Sequence, residues 1–239
     1  WKVTLVVTQA GRPYHLLGSV AIDAGGKRLV KPYEVDGART ELTFAVPEKP
    51  SRVLFDAGRD VPVPLGNPYA LVSFTDDFTK TKVVYGTSRQ VEANHTLALR
   101  FQTLVADSYS EELPPVVKDS ELTDEELAAS DLFLLGGPAD NAVVARLAGK
   151  LPAALAKGSF SLEGKTYARP DEGVYLCLPN PWNPKRVAWV YAANSALQLH
   201  QMTKGWALSL PQWAVYRSDE VVTRGFTTPA RFVFERLGE

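Results

Sequence analysis

Three segments of this chain repeat one order of events: an apolar run, a turn of small residues, then a stretch with helical spacing. They are VVYGTSRQ at 83–90, LFLLGGPADN at 132–141 and VAWVYAANS at 187–195. Strand, tight turn and helix in succession build a parallel or mixed sheet and gather its turns at one edge. At that edge glycine lets a backbone approach closely, and helix N-termini present N–H groups that lack intrahelical partners. The repeated unit therefore predicts a binding edge, with Thr87, Ser88, Gly136, Gly137, Asn141, Asn180 and Asn194 expected near it. Arg89 is the one basic residue expected at these turns, so an uncharged polar or weakly anionic ligand group fits them best.

At 239 residues the chain has room for two domains, since domains commonly run to about 100–150 residues. No stretch reaches the roughly 18 uninterrupted apolar residues of a membrane span. The formal net charge is -1 and the 26 basic residues are scattered, so neither a nucleic-acid backbone nor an anionic membrane is an expected partner. Cys177 is the only cysteine. It excludes an internal disulfide, leaves the redox compartment and the localisation undecided, and reads as a buried inert thiol within VYLCLP. The opening WKVTLVV alternates like a strand, which argues against a helical leader. The chain reads as a piece cut from something longer, with a processed mature protein as the alternative.

Residues 1–63 read as strands throughout, with WKVTLVVTQ, YHLLGSVAI, RLVKPYEV, TELTFAV and RVLFDA separated by Gly, Pro and Asp turns. This spacing predicts a small antiparallel β-sandwich. Residues 64–80 contain prolines and little periodicity, and form a connector expected to dock on both domains through Leu65, Leu71, Val72 and Phe74. From residue 81 to 239 the period changes. Leu97, Phe101, Leu104 and Val105 share one helical face, Thr123 with Glu126 forms a capping box, and a further helix follows Asp140. With a hairpin arm at 160–167 and the tail segments EVVTRGF and RFVFERL as edge strands, the second domain is expected to be a three-layer α/β domain of flavodoxin or Rossmann type. The whole is then a two-domain α+β or α/β chain.

Chemistry is harder to find. Gly158, Gly164, Lys165 and Thr166 imitate a phosphate-binding loop, but five residues separate the glycines where four are needed, and the surroundings read as a hairpin. Ser88 sits on a strand-to-helix turn without the G-x-S-x-G elbow, and its structural reading is a helix N-cap. Neither H-E-x-x-H nor a cysteine pair is present, so no metal ligand, no catalytic residue and no cofactor is assigned. The adjacent pairs Asp76–Asp77, Glu111–Glu112 and Glu125–Glu126 diverge on any regular element and read as solvated charges. In PNPWNP at 179–184, Asn180 and Asn183 either face a ligand or partner domain, or cap their own backbone in a rigid strand-to-strand crossover.

Two groups of residues carry a resemblance. Gln9, Tyr14, Leu16, Phe44, Pro47, Pro50 and the VLFDA run containing Asp56 resemble the small β-sandwich that follows the zinc catalytic domain of gluzincin aminopeptidases. YGT at 85–87, LFLLGGPADN and PNPWNP are similar to a C-terminal α/β module found after the core of some bacterial peptidases and esterases. The resemblance implies an active site, with its zinc, in an N-terminal catalytic domain missing from this sequence. That family's H-E-x-x-H and G-x-M-E-N motifs do not occur here, so no catalytic residue carries over. Two functions follow as expectations. The first is a non-catalytic C-terminal region of a larger bacterial hydrolase that supports its catalytic domain and shapes access of a peptide substrate. The second is an independent small-molecule-binding or hydrolytic α/β domain that uses its own carboxyl-edge crevice.

Overall fold

A computed structural model describes residues 1–58, 60–61, 78–107, 112–204, 210–227 and 233–234. The chain divides into two compact units, Trp1–Gly66 with Thr228–Glu239, and Asn67–Thr227.

The first unit is built from antiparallel strands. Strands β1 (Lys2–Thr8) and β4 (Arg39–Ala45) pair with each other. A second sheet has the order β16 (Val233–Phe234), β5 (Pro50–Leu54), β2 (Leu16–Ala24) and β3 (Lys27–Val35). Alternation decides which side each strand buries. In β1, Val3 is buried and Leu5 and Val7 are half-buried, whereas Thr4, Val6 and Thr8 face solvent. Val3, Leu42 and Phe44 from one sheet meet Val20, Ile22 and Val53 from the other in a single core, in which Tyr33 stacks on Phe55 at 4.6 Å. Val233–Phe234 of the tail thus pairs in this unit, where an edge strand of the second was expected.

The second unit is organised on a seven-stranded sheet of order β15-β14-β12-β13-β8-β6-β7. Its parallel half comprises β6 (Thr81–Tyr85), β7 (Val116–Lys118), β8 (Asp131–Leu135) and β13 (Asn183–Ala193). Its antiparallel half adds β12 (Glu172–Asn180), β14 (Trp213–Arg217) and β15 (Glu220–Gly225). Helices α1 (Val91–Val105) and α4 (Ala196–Met202) cover one face. The other face carries α2 (Asp124–Ala129), α3 (Ala142–Ala145) and a small antiparallel sheet of β9 (Ala153–Ala156), β10 (Ser159–Leu162) and β11 (Lys165–Tyr167).

A strand buried on both sides sends alternate side chains to different layers. Here the pleat sends most of the sheet's aromatic rings to one side. Tyr85, Phe133, Trp189, Tyr191, Tyr175 and Tyr216 go to the α1 side with Cys177. Val84, Leu132, Leu134, Leu176, Val190 and Val215 go to the other. On the aromatic side Phe133 stacks on Trp189 at 4.7 Å, while Phe101 of α1 meets Phe133 and Tyr191 edge-on at 5.1 and 5.3 Å. Such ring pairs contribute about 0.5–1.5 kcal/mol each beyond their buried area.

The expected fold class is overturned. Among the described residues 46% lie in strands and 20% in helices, arranged in four sheets with a mixed seven-stranded one. This is not a β-sandwich followed by a flavodoxin or Rossmann-type domain. A doubly wound sheet needs a crossover helix for each parallel strand. After β8 the chain instead lays down hairpins, β12 with β13 and β14 with β15, and α3 and α4 span only 4 and 7 residues. The capping box at Thr123 and Glu126 does start α2. Leu65, Leu71, Val72 and Phe74 lie outside the described residues.

Burial in the aromatic layer pushes the Cys177 thiol up to about 12 from an ordinary 9.0, and the Tyr216 hydroxyl up to about 12 from 10.0. Tyr175 and Tyr191 are raised well above 10.0 for the same reason. Raised acids favour the folded state while they stay neutral. Their contribution is therefore complete below about pH 9 and is lost progressively as pH climbs toward 12. Urea unfolding followed by tryptophan fluorescence should show a lower midpoint at pH 10.5 than at pH 8, and an unchanged or higher midpoint would contradict this layer.

Candidate functional site

The turns after β6, β8 and β13 come together at the carboxyl edge of the parallel half, around a cleft of about 490 Å³. Strand β6 is the switch point. From it the chain first adds β7 on one side, then returns to add β8 on the other. Connections that leave neighbouring strands in opposite directions open a crevice between them.

The β6 turn is tied to the β8 turn by direct backbone contact. Ser88 N–H donates to the Asp140 carbonyl at 3.1 Å, and a Cβ on Gly86 would stand 2.2 Å from that same oxygen. Glycine is required at 86 because two chains meet there. Helix α1 begins after Gln90, which takes a left-handed backbone (φ 50) and makes no side-chain capping bond. Ser88 is therefore not the helix N-cap expected for it. Buried Asn94 fixes the turn from behind, its amide donating to the carbonyls of Gly86 at 2.9 Å and Arg89 at 2.8 Å.

The β8 turn is held by Asn141, which is fully buried. Its amide donates to the carbonyls of Val84 and Leu135, and its oxygen accepts from the backbone N–H groups of Val143 and Val144 at the start of α3. Gly136 N–H donates to the Tyr191 carbonyl at 2.9 Å, linking this turn to β13. Buried Asp119 closes the arrangement. One of its oxygens accepts from both N–H and hydroxyl of Thr87, at 3.0 and 2.6 Å, and the other accepts from Ala142 N–H at 2.6 Å.

The third turn follows β13. The Asn194 amide donates to the carbonyls of Tyr167 and Arg169, and the Ser195 hydroxyl donates to the Pro170 carbonyl while accepting from Gln198 N–H as the cap of α4. The cleft itself is lined by Gln90, Asn94, Gly137, Asp140 and Asn194, with Lys157 at the tip of the β9–β10 hairpin. Its charged groups are Arg89, Asp140 and Lys157. Arg89 is bound to Asp140, with Nε and Nη2 at 2.9 and 2.7 Å from one carboxylate oxygen.

Of the residues expected near the edge, Gly137 and Asn194 line the cleft, while Thr87, Ser88, Gly136 and Asn141 build the turns that frame it. Asn180 is elsewhere. It ends β12 at the opposite edge of the sheet, where its amide donates to the carbonyls of Leu127 and Ser130 and its oxygen accepts from Trp182 N–H. Asn183 does the same for Ala128 and Lys185, so both asparagines fasten the end of α2 and their own turn. Sequence reasoning placed Asp140 within the predicted 136–141 turn without singling it out, and missed Asn94 and Lys157. With Ser88 expected as the helix cap, nothing in the local sequence singled out Asn94 as the residue that holds the turn. Nothing local indicated that the hairpin arm returns to this edge.

His95 packs on Tyr85 with ring centres 5.1 Å apart, and His200 of α4 has its pKa lowered by burial and by Arg100 and Lys204. His15 belongs to the first unit, beside Glu34 at 2.7 Å. Among the described residues no group of three or more His, Cys, Asp or Glu is placed to hold a metal ion, and no helix is long and apolar enough to cross a membrane.

Gly86→Ala should lower stability by about 1–3 kcal/mol, the usual cost of forcing an extra methyl into a packed contact. Urea unfolding measures it, and a neutral effect would show that the two turns do not touch as described. Asp119→Ala should cost a similar amount, about 1.5–3 kcal/mol, because it strips a charged acceptor from buried donors.

No protein-family model and no curated protein matches this chain.

Proposed function

We propose that the chain is a non-catalytic binding and support region, and that its second unit holds a small polar ligand in the cleft at the carboxyl edge. The observation that carries this reading is how the polar groups around the cleft are used. Asn94, Asn194 and Ser195 hold backbone groups of their own turns, and Arg89 and Asp140 neutralise each other. Nucleophilic or acid–base catalysis needs a side chain free to exchange a proton with substrate and a partner that orients it. The lining supplies polar contacts on a rigid frame, which suits recognition.

The gluzincin resemblance gives this region a setting. In that reading it follows a zinc-dependent catalytic domain of a bacterial aminopeptidase-like hydrolase, the first unit supports that domain, and the cleft binds part of a peptide substrate. The zinc ligands would then belong to the catalytic domain and not to the histidines here. The cleft itself favours a second reading, a mixed-sheet unit that binds its ligand independently of any such neighbour.

The 239-residue chain should hold no stoichiometric zinc after gentle purification and should not hydrolyse aminoacyl anilides. Elemental analysis together with that assay checks both. One tightly bound zinc with turnover would refute the non-catalytic reading. Small polar fragments should shift backbone resonances of Gly137 and Asn194, and reproducible binding elsewhere with these two unaffected would refute the cleft.

A further inference from the structure

We infer that the cleft takes a peptide-sized ligand ending in a single carboxylate, and that Lys157 is the residue that reads that charge. The inference rests on the proposed binding role of the cleft and names its ligand class. Three charged side chains line the cleft, and the ion pair cancels two of them. Lys157 is what remains. Among the described residues it makes no ion pair or hydrogen bond, and it is exposed. Glu172 and Asp171, where the chain enters β12, are engaged with other partners: Glu172 with Arg217 at 3.0 Å and with Arg169 N–H at 3.1 Å, and Asp171 with Arg169 at 2.9 Å.

The position of Lys157 is fixed by the hairpin beneath it. Phe160 and Leu162 are buried in the aliphatic layer, and Phe160 stacks on Tyr167 at 4.9 Å. Ala156 pairs with Ser159, which leaves Lys157 and Gly158 as the two-residue turn, and Gly158 takes φ 75 to close it. A cation on a short turn above a cleft whose other charges are balanced complements one negative charge. A phosphate dianion would keep a second charge uncompensated, whereas a carboxylate is matched. The volume of about 490 Å³ suits a ligand of dipeptide size, within the few hundred cubic ångströms typical of small-ligand sites.

The test is a chemical-shift titration of the isotope-labelled chain with N-acetyl-Ala-Ala, its C-terminal amide, and inorganic phosphate. The acid should bind about tenfold more tightly than the amide, as expected for a charged hydrogen bond covered by ligand, with shifts at Gly137, Lys157 and Asn194. Lys157→Met should remove that preference without weakening the amide, and Lys157→Arg should retain it. Equal affinity for acid and amide at the cleft, unchanged by Lys157→Met, would overturn the charge-reading role while leaving the binding cleft standing. Phosphate binding more tightly than the acid would overturn the carboxylate assignment. Binding of neither peptide at the cleft would defeat the proposed binding function together with this inference.

Discussion

A central strand covered on both faces must serve two layers at once, and the second unit depends on how its strands meet that demand. The pleat delivers Phe133, Trp189 and Tyr191 to the side of α1 and their aliphatic neighbours Leu132, Leu134 and Val190 to the side of α2 and α3. A register slip of one residue would exchange the layers and drive rings into space shaped for branched aliphatics. The parallel pairing of β6, β8 and β13 is therefore fixed by two packing layers as well as by the ladder between strands. Because that register is fixed, Tyr85, Leu135 and Tyr191 lie level, and the turns beyond them arrive together.

The turns then lock one another. Asn94, Asn141 and Asn194 each use a side-chain amide to satisfy carbonyls where the backbone leaves a strand, since an unpaired buried carbonyl is costly. Asp119 reaches from the end of β7 to both the β6 turn and the start of α3. The edge is rigid for structural reasons, and its polar side chains are largely occupied in making it so. This is why the cleft reads as a place for recognition, with the hairpin tip at Lys157 supplying the unbalanced charge.

Much of this was legible beforehand. The recurring strand, small-residue turn and helix pattern marked β6–α1, β8–α3 and β13–α4, and it placed Gly137 and Asn194 at the same edge. In PNPWNP the expected bonding of both asparagines to their own backbone is present, but the segment is the turn of the β12–β13 hairpin where a crossover was expected, and the amides reach α2. The Rossmann-type expectation failed for an identifiable reason. Val174–Leu178 and Trp213–Tyr216 look the same as strands whether they pair parallel or antiparallel, and only the short β12–β13 and β14–β15 connections decide it. The Ser88 cap failed because α1 starts only after Gln90, two residues further along, which enters the helix through a left-handed backbone.

By itself the sequence determined the local alternation of each strand, the capping of α2 by Thr123, and the order in which apolar runs meet their turns. These depend on neighbours within a few residues along the chain. Only the tertiary structure decided the sheet order, the pairing of Val233–Phe234 with β5, the contact of Gly86 with the Asp140 carbonyl, and the placement of Lys157 at the cleft. Each of these joins residues distant in sequence. What selects them is the mutual fit of whole layers, which no single segment encodes.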